Sequence, residues 1–347
     1  MDKTPIYDVA LWETHETEND CTLVIRTDNG RIFYCEISPK HFYQSPLAIK
    51  QYFKCLNLLR SGEEVDEDDD DFYLKDACDW LSNPFRPMVE RLAPGTLQKN
   101  SAGLPTLAQY LHPPYFVCSL SATDEELQAC HLPSREHGWG SPLLMVSDDF
   151  LDDLDSWTRL FHPGEVGICY NQPQDVLIRP PRRVVVPDGN GGHVECFFKR
   201  FALSFGPEHA RTELRTLKRL ALAHIPPPPQ AFICRLYGVV RDGNGLAGML
   251  FSWIENKGVL SKARAEQSAI ELRRHWAAQI RGTVQLLHDQ NIIWGDVKAG
   301  NVLIDMDDNA WVIDFGGSYT LGWVDKEIAG TVEGDLQGLS KIMSILA

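Results

Sequence analysis

Long apolar runs are missing from this chain. No uncharged stretch approaches the roughly 18 residues that a membrane-spanning helix requires. The opening Met1-Asp2-Lys3-Thr4-Pro5 lacks the apolar centre of a signal peptide. The cysteines number nine, an odd count, and no two are spaced C-x-x-C. That pattern argues against a zinc site or a disulfide framework and predicts a reducing intracellular setting, cytoplasmic or nuclear. Positive charge is also scarce: 33 Lys and Arg stand against 48 Asp and Glu, a net charge of −15. An excess of that sign repels phosphate backbones and anionic lipid, so neither nucleic acid nor a membrane is expected as a partner. A local basic pocket for a small phosphate ligand stays compatible with it.

What is present is ordinary for a folded protein: 347 residues, 44% hydrophobic and 23% charged. The length fits about two domains. Cys21–Thr27 and Arg31–Ile37 flank Asp28-Asn29-Gly30 and read as a hairpin. Helical spacing follows over 47–59. The acidic run within 62–71 reads as a solvated surface loop, with a metal site or a docking strip for a basic partner as the alternative. A loop is expected from Pro94 to Pro105, and helical spacing over 148–161. The boundary is placed near residue 150. Residues 1–150 then form an α+β accessory region of no recognisable fold, and 151–347 form the second domain.

From residue 165 the pattern is denser. Hairpin signals lie at Asp188-Gly189-Asn190-Gly191-Gly192 and Asp242-Gly243-Asn244-Gly245, separated by a predicted helix over 207–222. A long helical pattern runs from Lys262 to His288. Two short strands, Val302–Ile304 and Trp311–Ile313, follow it.

Chemistry concentrates in Trp294-Gly295-Asp296-Val297-Lys298-Ala299-Gly300-Asn301 and in Asp314-Phe315-Gly316. Transfer of a γ-phosphoryl group needs a carboxylate on the acceptor side, ligands for Mg²⁺ and cations against developing charge. Asp296 and Asn301 lie five positions apart across a loop, so one can face the attacking hydroxyl and the other a metal. Lys298 can reach the transferred group. A strand, a turn and a returning strand bring Asp314 back beside Asn301. Phe315 offers a packing anchor and Gly316 a hinge.

These two segments resemble the catalytic loop and the D-F-G segment of the eukaryotic protein kinase superfamily, with D-x-K-x-x-N similar to the serine/threonine type. The resemblance covers about residues 165–347, and its overall cut is similar to protein-kinase-like proteins of filamentous fungi. It implies a two-lobed α+β fold, with an N-lobe over about 165–255 and a truncated C-lobe over about 256–347. It also implies the cofactors ATP and Mg²⁺. Asp296 and Lys298 become the catalytic pair, and Asn301 and Asp314 the metal ligands. Lys199, in Cys196-Phe197-Phe198-Lys199-Arg200-Phe201, resembles the lysine that grips the nucleotide phosphates, with Glu213 as its partner and Glu208 as the competing one. A plain strand-edge charge is the other reading of Lys199. Phe251, Ser252, Trp253 and Ile254 resemble the hinge that bonds adenine, or an ordinary buried strand. Asp335 resembles the aspartate that props the catalytic loop, and it also fits a helix N-cap.

Four departures stand beside the resemblance. No G-x-G-x-x-G precedes Lys199, and arginine contacts from Arg179-Pro180-Pro181-Arg182 are the candidate substitute. Trp294-Gly295 replaces the usual His-Arg. No A-P-E follows Gly316, and few residues follow Asp335. The expected activity is ATP- and Mg²⁺-dependent transfer of a phosphoryl group to a protein or small-molecule hydroxyl. A nucleotide-binding pseudokinase scaffold and a small-molecule kinase are the alternatives.

Overall fold

The computed structural model describes residues 5–15, 17–62, 65–66, 69–95, 103–133, 142–201, 203–317 and 320–347. The chain divides into two compact units, Met1–Ser141 with Gly164–Pro181, and Pro142–Pro163 with Arg182–Ala347. Both are therefore discontinuous, where the sequence places one cut near residue 150.

The first unit is built on strands β1 (Tyr7–Thr14), β2 (Cys21–Thr27) and β3 (Ile32–Tyr43), followed by helix α1 (Pro46–Ser61). Asn29-Gly30 turns β2 into β3, with Gly30 at φ 77°. Pro46 opens α1, and Gly62, at φ 67°, closes it by donating to the Leu58 carbonyl. Within the predicted acidic loop, β4 (Val65–Asp66) pairs antiparallel with β5 (Asp69–Tyr73), so backbone pairing extends into a run read as a loop. Helices α2 (Leu74–Ser82), α3 (Arg86–Leu92) and α4 (Leu107–Leu111) follow, then β6 (Tyr115–Thr123) and β7 (Glu126–His131). Residues 96–102 of the expected loop lie outside the described residues.

The sheet order is β1-β2-β3-β6-β7, antiparallel except for β3 with β6. Its core face packs Leu23, Ile25, Phe33 and Cys35 against Tyr52, Leu56 and Leu59 of α1. Arg26 points the other way. It donates to the carbonyls of Leu177 (3.0 Å) and Tyr110 (2.9 Å) and lies 3.9 Å from the Tyr110 ring centroid. Backbone bonds from Leu107 to Val166 and from Ile168 to Pro105 add to this. These contacts, all between distant stretches of sequence, are why 164–181 belongs to the first unit.

The second unit opens with β8 (Leu144–Met145), α5 (Asp148–Asp155) and β9 (Arg159–Phe161). The helix predicted over 148–161 thus stops at Asp155, and its last residues become a strand paired parallel with β13. The chain passes through β10 (Gly167–Cys169) in the first unit and returns as β11 (Arg183–Pro187), β12 (His193–Arg200) and α6 (Pro207–Leu222). Then come β13 (Leu236–Asp242), β14 (Gly245–Ser252), β15 (Asn256–Val259), α7 (Lys262–Glu266) and α8 (Ile270–Asp289). The long predicted helix is therefore broken at 267–269, with Ser261 capping the first piece. Strands β16 (Val302–Asp305) and β17 (Ala310–Val312) and helix α9 (Val332–Leu346) end the unit.

Strands β11-β12-β14-β13-β9 form one sheet, and β15-β16-β17 form a second, smaller one. This gives a two-lobed α+β unit. One hydrophobic core runs through it, from Leu214 and Leu217 of α6 to Ile280 and Val284 of α8 and Ile342 of α9. Among the described residues no helix is long and apolar enough to cross a membrane.

Gly338 lets α9 lie directly against the loop that carries Asp296. A Cβ there would stand 2.6 Å from the Val297 carbonyl oxygen. Replacing an interior helical glycine by alanine gains about 1 kcal/mol of propensity, whereas overpacking against fixed backbone costs about 1–3 kcal/mol. Gly338→Ala should therefore destabilise the protein on balance by about 1 kcal/mol, seen as a lower urea midpoint with unchanged m-value.

Candidate active site

Strand alternation sets the first half of the site. On β12, Cys196 and Phe198 are buried, while Phe197 and Lys199 face the other way, into a cavity of about 460 Å³. Phe251, Ser252, Trp253, Ile254, Leu303, Ile313 and Asp314 also line it. The four hinge residues read from sequence thus meet Lys199 and Asp314 at one cavity. Two main-chain donors of this run are already engaged. The Ser252 N–H already donates to Arg235, and the Trp253 N–H to Glu195. Among the described residues, Ile254 keeps the candidate N–H donor of this run.

Lys199 Nζ lies 2.6 Å from Glu213 Oε1 and 2.7 Å from Asp314 Oδ1. Glu213 is 3% exposed on α6, on the same face as Leu214 and Leu217. Glu208, the competing partner, is exposed and bonds Arg215 instead. Burial works to lower the Lys199 pKa, but the Glu213 and Asp314 carboxylates outweigh it and hold Lys199 above its ordinary value. Burial raises Glu213, with Lys199 opposing. Lys199 is therefore a charged member of a carboxylate–ammonium–carboxylate row, and the strand-edge reading fails.

The second half is the loop between α8 and β16. Asp296, 3% exposed, accepts from Lys298 Nζ (2.7 Å) and Asn301 Nδ2 (2.8 Å) on Oδ2. Its Oδ1 accepts from the Thr320 hydroxyl at 3.0 Å, and Lys298 also donates to Thr320. Asn301 bonds the Asp296 carbonyl as well, so its amide nitrogen is committed and its amide oxygen is the acceptor that these bonds leave over. Asp314 and Asn301 together offer hard oxygen ligands. Mg²⁺ characteristically takes one or two such protein ligands and completes its shell with phosphate oxygens and water. The donor set fits that ion. Among the described residues no cluster of three or more His, Cys, Asp or Glu side chains forms an all-protein metal cage.

Asp335 supports this loop from α9. It is 2% exposed and accepts from the main-chain N–H of Trp294 and Gly295 and from His288 Nε2, each at 2.8 Å. A carboxylate only accepts, which places the imidazole proton on Nε2. The N-cap reading is set aside, since Thr331 caps α9 and Asp335 lies inside the helix. Gly295 has φ 84°, and a Cβ there would stand 3.0 Å from Gly317 Cα. The positive φ and this tight contact disfavour any side chain at that position. Phe315 is 2% exposed in the core, as an anchor should be. Gly316 serves by smallness: a Cβ would meet Asp314 Oδ1 at 3.2 Å, and its N–H donates to the same oxygen.

Sequence reasoning missed Thr320 and His288, which sit in no motif and reach the site only through folding. Phe197 and Cys234 at the cavity wall were also missed as site residues; burial pushes the Cys234 thiol up to about 12. Alternation along β12 could have found Phe197. Of the two arginines offered in place of a glycine-rich loop, Arg182 lines the cavity, whereas Arg179 pairs with Asp8 of the first unit at 2.6 Å.

Residues 198–333 match the protein kinase domain family. Over 126 residues the chain is 29% identical to a serine/threonine-protein kinase of Eremothecium gossypii, covering 34% of this chain and 16% of that one. It is 34% identical over 105 residues to a putative serine/threonine-protein kinase of Caenorhabditis elegans, covering 30% and 22%. It is 32% identical over 114 residues to the maternal embryonic leucine zipper kinase of Xenopus tropicalis, covering 30% and 15%. The chain thus spans less than a quarter of the length of each of these relatives. Residues 198–333 belong to the eukaryotic protein kinase superfamily.

Removing Asp335 would strand two buried N–H groups and one imidazole, each worth about 1–3 kcal/mol. Asp335→Ala should cost about 3 kcal/mol or more by chemical denaturation. A loss below about 1 kcal/mol would mean that water replaces the carboxylate at no cost.

Proposed function

We propose that the second unit is an ATP- and Mg²⁺-dependent phosphotransferase of the serine/threonine protein kinase type. The observation that carries this reading is the row Glu213–Lys199–Asp314 opening on the same cavity as Phe251–Ile254. Lys199 is held charged beside the cavity, where it would meet nucleotide phosphates. Asn301 and Asp314 would hold Mg²⁺, which when bound neutralises charge on the phosphates.

On the acceptor side, Asp296 would accept a hydrogen bond from the attacking hydroxyl and receive its proton as the new O–P bond forms and the bond from the γ-phosphorus to the β,γ-bridging oxygen breaks, with ADP as the leaving group. The contact that the Thr320 hydroxyl makes with Oδ1 illustrates such an approach. Lys298, bonded to Asp296, would offset charge on the moving group. The acceptor is a hydroxyl of a protein or a small molecule, and the cysteines, all nine of them free thiols, fit a reducing intracellular compartment. A nucleotide-binding scaffold is the second reading, favoured by the missing G-x-G-x-x-G before Lys199.

Two measurements separate these readings. Asp314→Asn removes a charge that the cation needs, so Mg-ATP binding should weaken far more than binding of metal-free ATP, by calorimetric titration. Equal weakening of both would reject Asp314 as a ligand. Asp296→Asn should lower the phosphoryl-transfer rate by about 10²-fold or more while nucleotide affinity stays near wild type. If the wild-type protein binds Mg-ATP without turnover and Asp296→Asn changes nothing, the scaffold reading replaces the enzyme.

A further inference from the structure

We infer that residues 142–163 act as a strap that holds α6 in the register at which Glu213 meets Lys199. The strap belongs to the second unit but precedes residues 198–333, the part matched to the kinase family. Both of its ends are fastened to the large sheet: β8 pairs with β14, Leu144 beside Leu246, and β9 pairs with β13, Leu160 beside Val239. Between them runs α5, whose first turn Ser147 caps. Leu151 and Leu154 share one face of α5, are almost fully buried, and lie in the same core as Leu214, Leu217 and Leu220 of α6.

Two polar contacts then tie α6 to the strap. Arg211 donates to the Met145 carbonyl at 3.2 Å, and Lys218 pairs with Asp153. Arg211 and Lys218 are about two turns apart, so they lie on one flank of α6, about 10 Å from each other along its axis. A single attachment would leave the helix able to turn about its own axis. Two on one flank fix turn and slide together. Glu213 lies between them in sequence and projects from a different side, where its carboxylate meets Lys199. How far α6 is turned therefore decides whether that pair forms. Charge works in the same direction: α5 carries Asp148, Asp149, Asp152, Asp153 and Asp155, and α6 carries Arg211, Arg215, Lys218 and Arg219. The partly exposed Lys218–Asp153 pair contributes little alone. Burial of Leu151 and Leu154 supplies the hold, and the polar contacts set the register. The consequence for nucleotide and transfer rests on the phosphotransferase reading, whereas the hold of the strap on α6 does not.

The test uses the full chain. Hydrogen–deuterium exchange without ligand is followed by mass spectrometry over 148–155 and 207–222, in wild type, Lys218→Asp, Asp153→Lys and the chain carrying both reversals. In wild type both stretches should exchange slowly. Each single reversal sets like charges against each other and should speed exchange over 207–222 by about threefold to fivefold, the range of an exposed ion pair, with α8 unchanged. The double reversal should restore the wild-type rate. Leu154→Ala, which removes buried apolar contact, should speed it by about tenfold or more. In parallel, Lys218→Asp should weaken Mg-ATP binding and leave adenosine binding near wild type, because Glu213 acts through Lys199 on the phosphates alone. In a Glu213→Gln background Lys218→Asp should cause no further loss, whereas a merely structural contact would add its effect in either background. Wild-type exchange over 148–155 as fast as in an exposed loop, beside a protected 207–222, overturns the inference, and that result needs no variant to fold. So does unchanged exchange over 207–222 in both single reversals, or an Mg-ATP loss as large in Glu213→Gln as in wild type. If wild type binds no nucleotide yet the reversals shift and restore exchange as expected, the phosphotransferase reading fails and the strap stands.

Discussion

The ammonium group of Lys199 sits between two carboxylates, and the arrangement of the second unit depends on that placement. Each of the three groups comes from a different element: Lys199 from strand β12, Glu213 from helix α6, and Asp314 from the turn after β17. Strand, helix and turn must therefore arrive at one point together. Glu213 is almost fully buried, so the row cannot come apart without leaving a carboxylate in low dielectric with no counter-charge. The ion row thereby links sheet, helix and loop.

Around that row the supports are layered. Asp335 holds the backbone of Trp294 and Gly295, and Gly338 lets the same helix lie against Val297. Asn301 and Lys298 hold Asp296, and Thr320 closes its remaining oxygen. Several of these bonds run between side chains and main chain, which fixes loop shape as well as side-chain direction. These bonds tie down a loop of irregular backbone, as the acid–base role proposed for Asp296 would require.

Much of this was legible in the primary structure. Alternation and Gly-Asn turns placed the hairpins, and spacing placed Asp296, Lys298, Asn301 and Asp314 near one another. The boundaries read less well where short local signals compete with long-range pairing. Residues 159–161 carry helical spacing but pair with β13 as a strand. The run from 262 to 288 is periodic throughout, yet it breaks at 267–269, with Ser261 capping the first piece. Residues 164–181 look continuous with the segment from 182 onward, but the buried Arg26 draws Leu177 into the first unit.

By itself, the sequence determined which groups could do chemistry, because residue type and spacing fix reach and charge: a carboxylate, a lysine and an amide within one loop, and a second carboxylate one hairpin later. It also determined that Lys199 would need a counter-charge, since an ammonium beside Cys196 and Phe198 is costly alone. The apolar stripe of α6 also favoured Glu213 over Glu208 as that counter-charge, and the docking of α6 buries the first and leaves the second exposed. Tertiary structure alone decided that Asp314 would share the ammonium group. Folding likewise brought Thr320 and His288 to the site, and it alone gave Asp314 its left-handed backbone. That conformation is unfavourable locally, so no local pattern could encode it; it exists because distant groups hold it.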